Sequence, residues 1–394
     1  MRVLVVNAGS SSLKFALYGA QPGVTEIDAE FHLHDCRAWL EVKQGALDLG
    51  AAWETTRDAF HADCVTRLLA GLARAGARFH AVGHRVVHGG ATLQSPTWLD
   101  AEVIAELASL TPLAPLHQPP ALHAVEALLA QAPDCPQLAA FDTAFHAHLP
   151  EVNRQFALPA RVRDAGVVRY GFHGLAYASV AAQIARMAPR LAAGRVVAAH
   201  LGSGASVCAM RGGVSQHTSL GFSTLDGLPM STRCGALDPG VLLHLLQTEG
   251  WSLADCERLL YRESGLIGLS GGSCDMRTLL ESDNEAATFA VDFFVARVAE
   301  TIAAMATALG GMDALVFSGG IGERAAEVRA RVAERLAWLG VRVDAAANAA
   351  LGAPHDAAPH CSFSTPDSSV ALMVVHADEQ AMIEGYVRHT PLPR

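Results

Sequence analysis

The sequence is poor in the features that mark a metalloprotein, a disulfide-linked protein or a disordered chain. Its eight cysteines are scattered over 394 residues, with no Cys-x-x-Cys pair and no metal-ligand spacing, which argues against a zinc site or a disulfide framework. Charged residues account for only 17% of the chain and hydrophobic residues for 51%, which excludes intrinsic disorder. We therefore expect a globular protein with reduced, mostly structural thiols, long enough for two domains.

Further absences bear on partners and location. The longest charge-free stretch, near residues 107–125, contains four prolines and is predicted to be a loop, so no segment qualifies as a membrane span. A net charge of -10 and a pI near 6.0 argue against a nucleic acid or an anionic membrane as partner. The N-terminus has no signal-peptide pattern. We expect a cytoplasmic protein that binds neither nucleic acid nor membrane.

The common nucleotide motifs are also missing, because the chain has neither GxxxxGK[ST] nor a good GxGxxG fingerprint. Three glycine-containing turns, each preceded by an aliphatic run, stand in their place. Residues 1–18 (MRVLVVNAGSSSLKFALY) and 195–210 (RVVAAHLGSGASVCAM) each read as strand, turn and strand. Residues 315–324 (LVFSGGIGER) pass from a strand through a glycine turn into a helix. This repetition predicts a phosphate-handling design.

The first hairpin carries polar residues whose spacing suggests a phosphate site. Ser10, Ser12 and Lys14 are spaced by two, so on an extended strand they would share one face. Two hydroxyls and an ammonium beside exposed turn amides suit a phosphate. The alternative is an ordinary hairpin with a polar tip.

The order of elements predicts a duplicated α/β fold. Both halves have a glycine-tipped hairpin, then further strands, then helices, and we expect a cleft between the copies. The helical tail, from residue 378 onward, is predicted to return to the first domain. Residues 212–240 and 265–277 read as long glycine-rich loops, which in compact domains are commonly functional, and residues 111–120 as a proline-rich loop.

Four side chains stand out by their surroundings. Arg85 and Arg233 lie among small or apolar residues, where an arginine commonly binds an anion, although a core ion pair is the alternative. Asp142 follows a predicted strand and could orient a nucleophile, hold Mg²⁺ through water, or simply cap a helix. His173 lies between glycines and has either a chemical or a structural role.

Three further charged residues have equally strong structural alternatives. Glu379 opens the last helix, where the helix dipole alone favours a carboxylate. Asp275 and Arg277 could clamp a ribose or phosphate, or form a surface ion pair. Taken together, the candidates supply what phosphoryl transfer needs: backbone cradles, a carboxylate for a metal, and arginines for the transferring group.

The chain resembles the acetate and propionate kinase family, within the sugar-kinase, heat-shock-ATPase and actin superfamily, nearly from end to end. The resemblance rests on the motifs NAGSSSLKF, GHRVVHGG, LAPLH, FDTAFH, RYGFHG, AHLGSGASV, the Arg233 loop, SGLIGLSGGSCDMR and FSGGIGER. It implies duplicated actin-like (ribonuclease H-like) α/β domains with an interdomain cleft. Residues 1–146 plus 378–394 would form the N-terminal domain, and residues 147–377 the nucleotide-binding and dimerisation domain.

The resemblance also implies an activity. It is reversible, Mg²⁺-dependent, in-line phosphoryl transfer from ATP to acetate, giving ADP and acetyl phosphate, by a homodimer; Mn²⁺ is an alternative metal. Propionate or butyrate kinase activity is the alternative within the family. A non-catalytic actin-like ATP switch is the alternative of a different class, although such a switch has no need of a carboxylate pocket.

Residue roles follow from the resemblance position by position. Asp142 would position acetate and the metal, Arg85 would bind the substrate carboxylate, and His173 and Arg233 would stabilise the transition state. The metal ligands would be Asn7 and Glu379. The methyl-sized pocket would consist of Val87, Leu116, Phe172 and Pro229. Ser10, Ser12 and Lys14 would meet the transferring phosphate. ATP would be held by His200, Leu201, Gly202, Ser203, Gly204, Asp275, Met276, Arg277, Gly320, Ile321, Gly322, Glu323 and Arg324.

The chain departs from the family pattern at four places. Ser203 stands where the family commonly has Asn, and residues 231–235 read STRCG where it has GTRSG. Met276 replaces the Phe of DFR, and residues 378–380 read DEQ where it has NEE. The charged residues survive every change, so these differences bear on nucleotide preference and affinity more than on the reaction.

Overall fold

The computed structural model describes residues 1–351 and 362–392. By packing, the chain divides into two compact units, Met1–Ala147 with Asp378–Arg394, and His148–Ala377. No helix in the described part of the chain is long and apolar enough to span a membrane. The predicted cleft, and the nucleotide-binding and dimerisation roles of residues 147–377, stay predictions.

The first unit contains an eight-stranded sheet with the order β5-β4-β3-β2-β1-β6-β8-β7. Strands β1, β6 and β8 run parallel to one another, and the other pairings are antiparallel. The strands are β1 (Val3–Ala8), β2 (Ser12–Tyr18), β3 (Thr25–His34), β4 (Arg37–Gln44), β5 (Trp53–Glu54), β6 (Ala81–Val86), β7 (Thr97–Trp98) and β8 (Gln137–Phe141).

Helices of the first unit cover the central strands. They are α1 (Phe60–Arg74), α2 (Ala101–Ser109) and α3 (Gln118–Gln131), with 3₁₀ turns at Thr111–Leu113 and Ala144–His146. Helix α1 buries Phe60, His61, Cys64, Val65 and Leu68, which recur at helical spacing and face the sheet. The aliphatic and aromatic residues of β1 and β2 form the core beneath them.

The second unit contains a five-stranded sheet with the order β11-β10-β9-β12-β13. Its strands are β9 (Arg195–Leu201), β10 (Ala205–Arg211), β11 (Val214–Thr218), β12 (Ala314–Ser318) and β13 (Ala371–Val374). Its helices are α4 (Glu151–Arg154), α5 (Ala160–Arg163), α6 (Gly174–Met187), α7 (Pro189–Ala192), α8 (Pro239–Gln247), α9 (Leu253–Arg258), α10 (Gly265–Ser270), α11 (Met276–Leu280), α12 (Glu285–Leu309), α13 (Gly319–Arg324), α14 (Ala326–Arg335) and α15 (Ala345–Ala350). A π-helical turn spans Leu259–Glu263, and a 3₁₀ turn spans Ala337–Leu339.

The last helix, α16 (Glu379–His389), belongs to the first unit and packs against β1 and β6. Gly83 on β6 makes this close approach feasible, because a Cβ there would lie 2.4 Å from Cγ2 of Ile383. Any side chain at residue 83 would therefore displace the helix. The return of the chain's end to the first sheet thus depends on one glycine in a central strand.

The two sheets share one topology. In each, a strand pairs antiparallel with the hairpin, and two parallel strands follow on the other side: β3-β2-β1-β6-β8 in the first unit and β11-β10-β9-β12-β13 in the second. This repetition confirms the predicted duplicated α/β fold. Two parallel neighbours beside each hairpin bring several carboxyl strand ends to one edge of each sheet, where α/β proteins place ligands.

Four local predictions were wrong. Residues 212–240 contain β11, and residues 265–277 contain α10 and the start of α11. Residues 111–120 contain a 3₁₀ turn and the start of α3, whose first turn accepts prolines because its N–H groups need no helical partner. Ser10 lies in the turn and not on β2, so only Ser12 and Lys14 occupy alternate positions of that strand.

Candidate active site

A group of polar side chains surrounds Arg85 at the carboxyl ends of β1, β6 and β8. The Arg85 guanidinium donates from Nη2 to Asp142 Oδ2 at 2.6 Å, and its Nε lies 3.2 Å from the same oxygen. Nε is also 3.4 Å from Glu379 Oε2, and Nη1 is 3.4 Å from Asn7 Oδ1. The structure thus brings together four predicted residues that lie up to 372 positions apart, between Asn7 and Glu379.

Burial makes this group electrostatically strong. Asp142 is 1% exposed, and the Arg85 side chain is 21% exposed. Burial disfavours the Arg85 cation, but the carboxylates of Asp142 and Glu379 outweigh that effect and raise the pKa of Arg85 above its usual value. The guanidinium is therefore permanently charged, and Asp142 holds its orientation.

Both carboxylates with structural alternatives contact Arg85, and Glu379 also lies in the first turn of α16, where the helix dipole favours a carboxylate. Helix α16 is capped by Asp378, which accepts a hydrogen bond from the N–H of Ala381 at 2.8 Å. Glu379 is consequently the first helical residue, and its side chain reaches Arg85. Asp142 precedes a 3₁₀ turn whose N-cap residue is Thr143, and its carboxylate oxygens accept from the Arg85 guanidinium.

The tip of the first hairpin is closed by backbone hydrogen bonds. The N–H of Gly9 donates to Ser12 O at 2.8 Å, and the N–H of Leu33 donates to Ser11 O at 2.9 Å. The Lys14 ammonium lies 3.9 Å from Glu30 Oε1, and its side chain is about half exposed. Glu30 also accepts from Lys43 at 2.9 Å, so its charge is shared between two ammonium groups.

The tip of the second hairpin, at residues 202–204, is shorter. The N–H of Gly202 donates to Gly204 O at 3.0 Å, and the N–H of Ser231 donates to Ser203 O at 3.1 Å. The second bond ties this tip to the loop that carries Arg233. The Arg233 side chain donates to Thr224 O at 3.2 Å within that loop.

His173 faces the second hairpin tip. It has a left-handed backbone with φ 59° at the start of α6, and its Nε2 lies 3.1 Å from where a Cβ on Gly204 would stand. Its Nδ1 lies 2.9 Å from Ser206 Oγ, which is 2.5 Å from the Tyr177 hydroxyl. Two hydroxyls thus orient the ring, and Gly204 leaves it room beside the tip.

The third glycine element meets the second hairpin. His200 Nδ1 lies 3.1 Å from Ser318 Oγ, because β9 and β12 are parallel neighbours. Gly319 has φ 76°, and a Cβ there would lie 2.7 Å from Leu201 O, so only glycine fits. The predicted nucleotide residues 200–204 and 320–324 therefore lie at one edge of the second sheet.

Glu323 is engaged within this element. It accepts from the N–H of Gly319 at 2.9 Å and lies 3.0 Å from His376 Nδ1. Burial disfavours its charge, but His376 and the Gly319 N–H outweigh burial and hold its pKa below its usual value. The buried Arg329 donates to Gly322 O at 2.9 Å and Glu323 O at 2.7 Å, which braces the end of α13.

The remaining predicted site residues are the nucleotide candidates 275–277 and the four residues of the predicted methyl pocket. Asp275 caps α11 by accepting from the N–H of Thr278 at 2.9 Å, and this bond lowers the pKa of Asp275. Met276 is buried and Arg277 is exposed. Val87 and Leu116 belong to the first unit, Phe172 and Pro229 to the second. The nucleotide role of residues 275–277 and the methyl pocket stay predictions.

Sequence reasoning missed several residues that support the site. His61 contacts Gly9 O, Arg329 braces α13, and Ser206 and Tyr177 orient His173. For two of them a signal existed. His61 lies on the apolar stripe of α1, and Arg329 shares the buried face of α14 with Val328 and Val332. A polar residue on an otherwise apolar helical face needs a buried partner, but the sequence does not name it.

Comparison with known proteins agrees with this geometry. The family profile described as Acetokinase family matches residues 2–385. An acetate kinase of Rhodopseudomonas palustris is 47% identical over 98% of this chain and 97% of its own length. An acetate kinase of Methylocella silvestris is 44% identical over 98% of this chain and 96% of its own.

Solved structures show the same fold. The crystal structure of Porphyromonas gingivalis acetate kinase has a TM-score of 0.86 and 34% identity, covering 98% of each chain. A propionate kinase from Francisella tularensis has a TM-score of 0.87 and 30% identity, again covering 98% of each chain. The fold and the site together define a phosphotransferase. More particularly, the chain belongs to the acetokinase family.

Proposed function

We propose that this protein transfers the γ-phosphoryl group of ATP reversibly to the carboxylate of acetate, giving acetyl phosphate and ADP. The observation that carries the proposal is the partly buried guanidinium of Arg85, paired with the buried Asp142, at the carboxyl ends of three parallel strands. A permanently charged, pre-oriented guanidinium is the group best suited to bind a small carboxylate. The names of the curated relatives support acetate as the acid.

The Arg85 geometry suggests how the acid is bound. Asp142 engages Nε and Nη2, whereas Nη1 makes only a long contact of 3.4 Å with Asn7. The substrate carboxylate is expected on the Nη1 side, where donors remain available. Acetate is ionised at neutral pH, so the nucleophile needs no general base. The role of Arg85 is then to offset repulsion between the carboxylate and the polyphosphate.

A divalent cation fits the same group. Asn7, Asp142 and Glu379 offer oxygen donors only, the set that a hard cation prefers, and Asn7 and Glu379 would hold it. The described residues contain no cluster of three acidic, histidine or cysteine ligands. Mg²⁺ usually keeps several waters and substrate phosphates as ligands. When bound, Mg²⁺, or alternatively Mn²⁺, neutralises charge on the polyphosphate.

The glycine elements would hold ATP. Ser10, Ser12 and Lys14 would meet the transferring phosphate, and residues 200–204 with 320–324 would hold the remainder of the nucleotide. His173 and Arg233 would donate to the equatorial oxygens, whose charge is distributed in the transition state. The hydroxyl of Ser206, 2.9 Å from His173 Nδ1, supports this role because it fixes the direction of Nε2.

A longer acid is the second candidate substrate. The similarity to a propionate kinase structure favours it, and the pocket residues Val87, Leu116, Phe172 and Pro229 would set the limit on length. One methylene in an apolar pocket changes binding by only about 1–3 kcal/mol, so discrimination is expected to be soft.

The deciding experiment is a hydroxamate assay with the purified protein and Mg-ATP. Acyl hydroxamate formed with acetate, and absent without protein, is expected, and it would exclude a non-catalytic ATP switch. The same assay with propionate and butyrate ranks the acids by kcat/KM. Failure to form hydroxamate with any of the three, in a protein that binds ATP, would overturn the proposal.

We also propose that the protein is a homodimer formed through the second unit. Apolar side chains exposed on and near α8 and α9 support this, among them Leu243, Trp251 and Leu253. Exposed large apolar residues in one segment commonly mark an interface. Sedimentation analysis of the wild type and of Leu243→Asp tests it, with the variant expected to dissociate; a wild-type monomer would overturn it.

A further inference from the structure

His61 makes a buried contact with the tip of the first hairpin, although 52 residues separate it from Gly9. It lies on α1, is 2% exposed, and its Nε2 is 2.8 Å from Gly9 O. A carbonyl oxygen can only accept a hydrogen bond, so Nε2 carries the proton. The ring is therefore a donor aimed at one particular peptide of the candidate phosphate-binding turn.

The other ring nitrogen fixes the protonation state. Nδ1 of His61 is buried and has no hydrogen-bond partner among the described residues. Burial lowers the pKa of His61; the Gly9 carbonyl opposes that effect and His123 adds to it. A protonated ring would bury a second N–H without an acceptor, which is unfavourable. The neutral form with its hydrogen on Nε2 is the one that the site accommodates.

The geometry points to a positioning role: we propose that His61 holds the Gly9–Ser10 peptide so that the Ser10 N–H is directed at the transferring phosphate. In a planar trans peptide, the carbonyl oxygen and the following N–H point to opposite sides. Anchoring Gly9 O on α1 therefore aims the Ser10 N–H away from the core. This inference rests on the proposed function of the first hairpin.

The rest of the tip supports the inference. Ser12 O accepts from the Gly9 N–H at 2.8 Å, and Ser11 O accepts from the Leu33 N–H at 2.9 Å. Together with the His61 contact, these bonds engage three of the four carbonyl oxygens of residues 9–12, those of Gly9, Ser11 and Ser12, with internal donors. Their orientation is fixed before any ligand arrives, as catalysis by preorganised backbone donors requires.

The test compares His61→Leu, which removes the donor, with His61→Gln, which retains one. We expect kcat of His61→Leu to fall by about tenfold or more, because a misdirected donor acts on the transition state, with KM for acetate unchanged. His61→Gln should retain kcat within about threefold. Cys64→Ala is the matched control, since it leaves a cavity on the same buried face of α1 but keeps the Gly9 contact.

A second readout does not depend on activity. Hydrogen–deuterium exchange of the full chain should be faster over residues 7–14 in His61→Leu than in Cys64→Ala, at matched stability in urea. If His61→Leu does not fold, His61→Met takes its place. The inference is overturned if the Gln and Leu variants lose kcat equally, or if exchange over residues 7–14 is unchanged. An inactive wild type would overturn the proposed function. The exchange comparison would still test whether His61 anchors the first hairpin tip.

Discussion

The two hairpins occupy equivalent places in their sheets, yet each is supported by different chemistry. The first tip, residues 9–12, is anchored by a buried imidazole through Gly9 O and lies in the sheet whose neighbouring strands end at Arg85 and Asp142. The second tip, residues 202–204, faces His173, and its neighbouring strand β12 ends at Ser318. One strand topology thus carries the Arg85–Asp142 ion pair in the first unit and a set of histidine and serine side chains beside the second tip in the other.

This difference follows from which side chains stand at the strand ends. Antiparallel hairpins with small tips expose backbone N–H groups, and that property is common to both units. In the first unit, charge is added by Arg85 and Asp142 at the ends of the adjacent parallel strands, by Lys14 on β2 and by Glu379 on α16.

The largest expected effect concerns the second unit. Arg233→Ala should lower kcat by about 10²–10³-fold, because removing one donor to transition-state charge costs that much, while the protein stays folded. Steady-state kinetics with circular dichroism measure both. Arg211→Ala is the matched control, since Arg211 donates to Leu309 O at 2.6 Å and has no proposed catalytic role. Unchanged kcat in Arg233→Ala would remove Arg233 from the mechanism.

The next effect compares how much stability is lost when a largely buried ion pair and an exposed ion pair are broken. Asp142→Asn should reduce the free energy of unfolding by about 3 kcal/mol, because a buried guanidinium loses its main counter-charge. Asp313→Asn breaks the more exposed Arg195–Asp313 pair of the second unit and should cost much less, because solvent screens an exposed ion pair. Urea unfolding at pH 7 measures both. Equal losses would mean that the two sites have the same electrostatic character.

A third effect depends on pH. Burial lowers the pKa of His84 on β6 to about 4, and its Nε2 lies 2.7 Å from Gln137 Oε1. The unfolded value is higher, so the folded state binds fewer protons and stability falls as the pH drops from about 6.5 towards 4. The fall is at most about 1.4 kcal/mol per pH unit for this histidine. His84→Gln should flatten the profile measured by urea unfolding; an unaltered slope would show that His84 is not responsible.

A smaller effect tests how His173 is oriented. Ser206→Ala removes the hydroxyl 2.9 Å from His173 Nδ1 and should lower kcat by at most about tenfold, which corresponds to one lost hydrogen bond of about 1.4 kcal/mol. KM for ATP should change little. Ser215→Ala, which removes a buried hydroxyl near Cys208 in the same sheet, is the control. If both variants retain wild-type kcat, the Ser206 contact is structural only.

The smallest effect concerns acid length. Val87→Ala should raise kcat/KM for propionate relative to acetate by up to about tenfold, since one methylene is worth about 1–3 kcal/mol in a pocket. Val82→Ala, at a buried position of the same β6 strand, controls for general loosening. A ratio that moves equally in both variants would exclude Val87 from the pocket.

Much of this protein could be predicted from its residues. The bounds of helix α12, Glu285–Leu309, are set by an Asn284 cap and by Gly310 in the left-handed conformation, which are local signals that the sequence displays. The loops were harder to predict. Strand β11 was not predicted because it is short and its strand conformation depends on pairing with β10. Local sequence does not specify such pairing. Helix α10 was not predicted because it contains two glycines, which are poor helix formers.

Local sequence by itself determined the hairpins, the repeated fold and the kinds of side chain available, because turn residues and apolar periodicity act over a few positions. Tertiary structure alone decided which of these side chains meet. Asn7, Arg85, Asp142 and Glu379 come together because three parallel strands end, and the last helix begins, at one edge of the first sheet. It also decided that Asp378, and not Glu379, caps that helix, and that His61 reaches Gly9. Such contacts depend on the register of distant elements, which no short stretch of sequence specifies.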